Sequence, residues 1–379
     1  MRHLFSGINM KISSSTTSSA QNFSIGNYYP ALDGLRGLAI ILIILHHNFG
    51  YFSIFRPAWI SLDLFFVLSG FLITGILLKK RDTQYFLRNF YARRVLRIFP
   101  IYYLSVIIIL FILPHLIYFP FSLKYFLTNQ IWFWLEIQNW LFILKPNGNN
   151  NFLNHFWSLA LEEQFYLVSP FIILLIKQVQ KIISFLLVVL LLMTALRLIV
   201  WFQQFNNISY VNLFAFTRID GLCVGSILAI FVNQGNVEIN RINKVLFSLF
   251  SIPIFIVLPF FKFFFYTRLP YTACCLFPAV SLFWGLIVWS SINPANIMFR
   301  IFNSRLLIYF GKISYGLYIL HWPIFKLFTS GGIILIGSPN SFMGNLLLSL
   351  ISTFIAIILA IISFHTYEKF FLGLKRYFI

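Results

Sequence analysis

Apolar runs of membrane-crossing length follow one another along almost the whole chain, separated by short polar or basic stretches. A helix needs about 20 mostly apolar residues to cross the hydrocarbon core. On that measure spans are expected at 37–55, 60–78, 98–118, 157–176, 182–203, 211–232, 245–261, 272–292, 308–327 and 344–366. The two-residue alternation of a membrane barrel is absent. The pattern therefore predicts an all-α fold, a polytopic transmembrane helix bundle of about ten spans. Residues 119–156 break the rhythm. "YFLTNQIWFWLEIQNWLFIL" is aromatic and apolar but carries Asn129, Glu136 and Asn139. An interfacial helix, a re-entrant hairpin and paired spans all suit it.

Composition sharpens this. The 379 residues are 60% hydrophobic and 10% charged, with 48 phenylalanines. Residues 1–30, with the run "SSSTTSSAQN", read as a disordered cytoplasmic tail, and 31–379 as one transmembrane domain. No signal-peptide core precedes the first span. The net charge of +19 would suggest nucleic acid in a soluble protein. Here the basic residues cluster in particular loops, so the partner is the bilayer and no nucleic acid is expected. The densest cluster, Lys79, Lys80, Arg81, Arg88, Arg93, Arg94 and Arg97, follows the second span. Cytoplasmic loops collect such residues, which makes both termini cytoplasmic. The same assignment leaves only Arg56, Lys124, Lys145, Lys262 and Arg268 in clearly external loops. Cys223, Cys274 and Cys275 lie in apolar runs without ligand spacing, so neither a disulfide framework nor a metal site is expected.

The nine acidic residues carry the chemistry. Asp82, Glu136 and Glu238 lie in loops or at an interface, where solvation explains them. Asp33, Asp63, Glu162, Glu163, Asp220 and Glu368 lie at or inside span ends. An ionised group at mid-membrane costs about 2.5–3.5 kcal/mol, so each implies a function or a structural ion pair. Arg218 and Asp220 do not face one another at their spacing and need separate partners. The first span adds Arg36 and His47. They are eleven residues apart, roughly 1,100° of turn, and so share one face across about 16 Å. His46 points about 80° away. Arginine offers a fixed fork of donors suited to phosphates. Histidine suits proton removal from a hydroxyl near neutral pH. A donor with an anionic head and a long neutral arm, such as acyl-coenzyme A, would span that gap. The plainer readings are a topology anchor for Arg36, a packing histidine at 47 and a helix cap for Asp33. Ser314, Tyr318 and His321 form a polar stripe that either lines a cavity or hydrogen-bonds neighbouring helices.

Several separated motifs resemble the integral membrane acyltransferase family 3, over about residues 28–370. "LDGLRGLAIILIILHH" is similar to its arginine-to-histidine signature, which maps onto Arg36 and His47. "WISLDLFFVLSGFLITGIL" resembles its second-span motif, with Asp63, Ser69 and Gly70. "FYARRVLRIFPIYYLS" resembles its basic stretch, with Arg93 and Arg94. "HFWSLALEEQFYLVSP" resembles its tryptophan-serine-leucine-glutamate motif, with Trp157, Ser158 and Glu162. "RIDGLCVGSILA" and "ISYGLYILHWPIF" resemble later segments. "SFHTYEKFF" departs from the usual Glu-Arg-Pro at Glu368-Lys369-Phe370.

The resemblance implies an O-acetyltransferase of the plasma (inner) membrane. It would move an acetyl group from cytosolic acetyl-CoA to a hydroxyl of a surface glycan or glycolipid. His47 is expected as the base, with Glu162 and Asp63 orienting it or the acceptor. Arg36, with Arg93 and Arg94, is expected to hold the donor. Trp157, Ser158 and His321 are expected on the acceptor side. Glu162 is expected near the outer end of its span, opposite in depth to Arg36. Lipopolysaccharide, capsule, exopolysaccharide and a small glycoside all fit as acceptor. The rivals are another acyl group, such as succinyl, and a proton-coupled transporter, for which matched inverted repeats are missing.

Overall fold

The computed structural model describes residues 29–116, 123–145, 152–202, 215–235, 276–329 and 341–378. Among them every regular element is helical and no strand occurs. Six helices are long and apolar enough to cross a membrane, and two shorter apolar ones accompany them. The chain is a multi-pass membrane protein. The expected span 245–261, the tail before residue 29, Cys274 and Cys275 lie outside the described residues.

Helix α1 (Pro30–Phe49) starts on a proline, whose missing N–H costs nothing in a first turn. It begins seven residues before the expected span, so Asp33 is not its cap but lies inside the first turn. Helix α2 (Ser61–Lys80) follows a short 3₁₀ segment. Helix α3 (Phe86–Ile107) corrects the sequence reading, because Arg88, Arg93, Arg94 and Arg97 ride on it rather than in a loop. Tyr85, with φ of 57°, turns the chain into it. The helix continues through a π-turn to Leu116.

Residues 123–144 form three short helices, α4 (Leu123–Thr128), α5 (Gln130–Trp134) and α6 (Gln138–Leu144), none of spanning length. The hydroxyls of Tyr102 and Tyr103 on α3 donate to the Phe133 and Trp134 carbonyls at 2.9 Å each and hold this segment. Glu136 lies between α5 and α6 with φ of 54° and is buried, so solvation does not account for it.

Helices α7 (Trp157–Leu175), α8 (Val179–Phe202), α9 (Asp220–Asn233), α10 (Phe277–Ile292), α11 (Ile297–Phe302), α12 (Arg305–Thr329), α13 (Phe342–Ser363) and α14 (Lys369–Leu374) complete the described fold. Two crossings set the frame. Helix α1 lies against α12, where a Cβ on Gly37 would collide with the Leu307 carbonyl and one on Gly311 with that of Asp33. Helix α2 lies against α9 in the same way, through Gly70 and Gly225. Bilayer lipid is as apolar as leucine, so close backbone approach replaces the hydrophobic drive of water. The α1–α12 crossing brings His47 and His321 into contact.

Candidate active site

Two adjoining cavities lie between α1, α2, α3 and α7. The larger, about 430 Å³, is walled by Arg36, Lys79, Lys80, Arg93, Arg94, Arg97 and Lys375, with Asn89, Phe86 and Phe90 among them. The smaller, about 70 Å³, lies among Ser69, Ser158, Glu162, Glu163, Tyr166, Ser314 and Tyr318. Arg36, Arg94 and Arg97 belong to both walls and form a collar between them. The small cavity has room for about two waters, or a group of a few heavy atoms.

The collar residues are held from below. Arg36 pairs with Asp33 at 3.5 Å, one turn away on α1. Arg94 sits over the Tyr166 ring at 5.4 Å. Arg93, on the wall of the basic cavity, donates to the Phe378 carbonyl at 3.2 Å, tying α3 to the C-terminal end. Seven cations face one cavity with no acidic residue on its wall. Such a concentration attracts a polyanion strongly.

In the small cavity the Tyr166 hydroxyl lies 3.0 Å from both Glu162 Oε2 and Ser69 Oγ. Tyr166 is four residues from Glu162, so α7 presents both on one face. Glu162 thus shares a wall with Arg36 instead of standing at the opposite depth. Further along, Ser158 Oγ and the Tyr318 hydroxyl are 2.6 Å apart, and Tyr318 donates to the His155 carbonyl at 2.9 Å.

His47 is not on either wall. Its Nδ1 lies 2.8 Å from Nε2 of His321. The Tyr318 ring, on the small cavity's wall, packs 5.6 Å from the His321 ring, so one residue separates the cavity from the imidazole pair. Pro323 contributes nearby. It lacks the N–H that would bond the Ile319 carbonyl one turn back. His155 Nε2 donates to that freed oxygen at 3.3 Å. His46 points elsewhere, its ring 5.2 Å from that of His47.

The carboxylates expected to orient His47 do not meet it. The side chain bonded to His47 is His321. Asp63 pairs instead with Arg218 at 3.3 Å, both buried. Arg218 spreads over the Phe277 ring at 4.1 Å and approaches Trp157 at 5.8 Å, which accounts for Trp157 as a packing partner of this pair. Asp220 forms a two-pronged bond with Arg197, at 2.6 and 2.8 Å, and Arg197 also donates to the Thr217 carbonyl. The two neighbouring acidic and basic residues of the sixth apolar run therefore do take separate partners. In the polar stripe of α12, Ser314 and Tyr318 line the cavity while His321 bonds another helix. Glu368 is buried, accepts from Ser363 at 3.0 Å and is not on either cavity wall.

Sequence reasoning did not single out Arg97, Tyr166 or Lys375 as site residues. For Tyr166 a signal existed, its four-residue spacing from Glu162. Lys375 carried none, because only the fold brings it to α3. Among the described residues no cluster suits a metal ion.

Comparison with known proteins supplies independent findings. A family model described as an acyltransferase domain matches residues 29–365. The chain is 32% identical over 346 residues to peptidoglycan O-acetyltransferase OatA of Listeria monocytogenes (strain EGD-e), covering 86% of this chain and 54% of that protein. It is 31% identical over 311 residues to O-acetyltransferase OatA of Staphylococcus aureus (strain NCTC 8325), covering 78% and 50% respectively. Against the putative peptidoglycan O-acetyltransferase YrhL of Bacillus subtilis (strain 168) it is 29% identical over 362 residues, 90% of this chain and 54% of the relative. The chain thus spans about half the length of these relatives. No solved structure matches it.

Proposed function

The chain belongs to the integral membrane acyltransferase family 3, and from that premise we propose that it is an O-acetyltransferase of the plasma membrane. It takes an acetyl group from cytosolic acetyl-CoA and passes it to a hydroxyl of a glycan outside the cell, within the one transmembrane domain from residue 31 onward. The observation that carries this reading is the arginine collar. Arg36, Arg94 and Arg97 line both a wide basic cavity and the smaller one beside it. A phosphate-bearing head with a narrow neutral arm fits that sequence of spaces. The phosphates rest among Arg36, Arg93, Arg94 and the lysines, and the acetyl end passes the collar toward Glu162 and Tyr318. Arginine forks match phosphate oxygens in pairs.

The reaction needs a base for the acceptor hydroxyl. His47 takes that proton, the freed oxygen attacks the acetyl carbon, and the carbon–sulfur bond breaks. Coenzyme A departs as a thiolate and takes up a proton from water, and His47 gives its proton back to water, so that no net proton is gained or lost. Glu162 and Tyr166 border the space where the acyl carbon arrives, where their hydrogen-bonding groups position the thioester. Asp63 has the simpler task of neutralising Arg218.

Three relatives are named as O-acetyltransferases, two of them of peptidoglycan, one of these as putative. This favours a peptidoglycan sugar as acceptor over lipopolysaccharide. Mass spectrometry of muropeptides from a deletion strain, alone and complemented, tests it. Base-labile acetyl esters lost on deletion and restored by the wild-type gene support the reading. An unchanged muropeptide profile, with acetyl lost from another glycan, moves the acceptor. No change in any envelope ester contradicts it.

A further inference from the structure

We propose that His321 is a positioning residue that fixes the tautomer of His47, so that His47 Nε2 carries the lone pair. This rests on the reading of His47 as the base. The protons along one line of atoms are fixed by their partners. His321 Nδ1 lies 2.7 Å from the Tyr318 carbonyl and 3.1 Å from that of Leu317, both in its own helix. Carbonyl oxygens only accept, so His321 Nδ1 must hold a proton. In a neutral imidazole the other nitrogen is then an acceptor. His321 Nε2 therefore accepts, and His47 Nδ1, 2.8 Å away, donates. That leaves Nε2 of His47 without a proton, on the ring edge remote from His321.

The ring geometry supports a true hydrogen bond. The two planes are within 3° of parallel, with centroids 5.1 Å apart. The excess of that spacing over the 2.8 Å between nitrogens matches two imidazole radii. The rings therefore meet edge to edge in one plane, and the lone pair of His321 points straight along the N–H of His47. His321 is fully buried and lies on neither cavity wall. It acts on the acceptor only through His47. The arrangement copies the logic of a carboxylate behind a catalytic histidine, with a neutral imidazole in its place. A neutral partner suits membrane depth, where a second charge would be costly.

The test uses the full chain in nanodiscs, with ¹⁵N-labelled histidine and His47→Ala for assignment. In the wild type, Nδ1 of His47 should be the protonated nitrogen and should couple across the hydrogen bond to Nε2 of His321. His321→Gln keeps an acceptor oxygen near the same place. It should hold the tautomer and retain acetyl transfer within about tenfold. His321→Leu should lower kcat on the order of 10²–10⁴-fold, the span general-base catalysis supplies, with KM little changed. A wild-type spectrum with the proton on Nε2 of His47 would overturn the assignment. So would equal losses in the glutamine and leucine variants, which mark a packing role. Full activity of His47→Ala, with the Nδ1–H signal of His47 present in the wild type, would sink the proposed base and leave the tautomer standing.

Discussion

Arg36 and Glu162 wall the same small cavity, each about two turns into its helix, the one on α1 and the other on α7. On the proposed function, the charged part of the donor ends and the acyl chemistry begins at this space. The charge on the wide side and the hydrogen-bonding groups on the narrow side predict different responses to mutation.

Arg36→Lys keeps the charge at the collar but loses the two-pronged fork. Acetyl-CoA affinity of the purified chain should fall roughly tenfold or more, with acceptor KM little affected. Isothermal titration in nanodiscs measures it. Equal affinity in the two proteins would leave Arg36 as a topology anchor.

Tyr166→Phe removes the hydroxyl that lies 3.0 Å from Glu162 and Ser69. Leaving a buried polar group without its partner costs about 1–3 kcal/mol. The variant should fold, bind acetyl-CoA normally and transfer acetyl on the order of tenfold more slowly. Steady-state kinetics of labelled acetyl transfer gives the answer, and an unchanged kcat would detach Tyr166 from the site.

Asp63→Asn should behave as a stability mutation. It strands the buried Arg218 guanidinium, a loss of about 3–5 kcal/mol for a broken buried pair. The double variant Asp63→Asn with Arg218→Leu should recover part of the loss. Thermal unfolding in detergent follows both. If Asp63→Asn keeps its melting temperature but loses activity, the aspartate belongs to the chemistry.

Topology follows from the cavity. Lys79, Arg93 and Lys375 share one wall, so the turn after α2 and the C-terminal end lie on the same side of the membrane. In a background without the native cysteines, Asp82→Cys and Arg376→Cys should label from the cytoplasm, and Ser53→Cys from outside. Labelling of Asp82→Cys and Arg376→Cys from opposite faces would contradict the fold.

The helical, membrane-spanning character was legible because length and apolarity belong to single segments; ten spans are expected from them, and among the described residues six helices have spanning length and composition. Periodicity and spacing are written in consecutive residues, and the bilayer demands length and apolarity of each span. The partners across helices were not legible. Asp63 could have met His47, and only the α2–α9 packing through Gly70 and Gly225 brings it to Arg218 instead. His321 showed itself as part of a stripe and as an expected acceptor-side residue, not as a partner of His47, since the α1–α12 crossing that seats it there depends on Gly37 and Gly311 meeting carbonyls. Glu136 is buried rather than solvated for the same reason. Its aromatic neighbours resemble an interface in sequence, yet α3 tyrosines fold that segment inward.

The central claim is that His47 is the base of an acetyl transfer. The most direct measurement is transfer from labelled acetyl-CoA to purified glycan by the full chain in nanodiscs, comparing His47→Ala with His46→Ala. His47→Ala should lose transfer by on the order of 10²–10⁴-fold while still binding acetyl-CoA, and His46→Ala should stay near wild type. Transfer that survives in His47→Ala and disappears in His46→Ala would contradict the account.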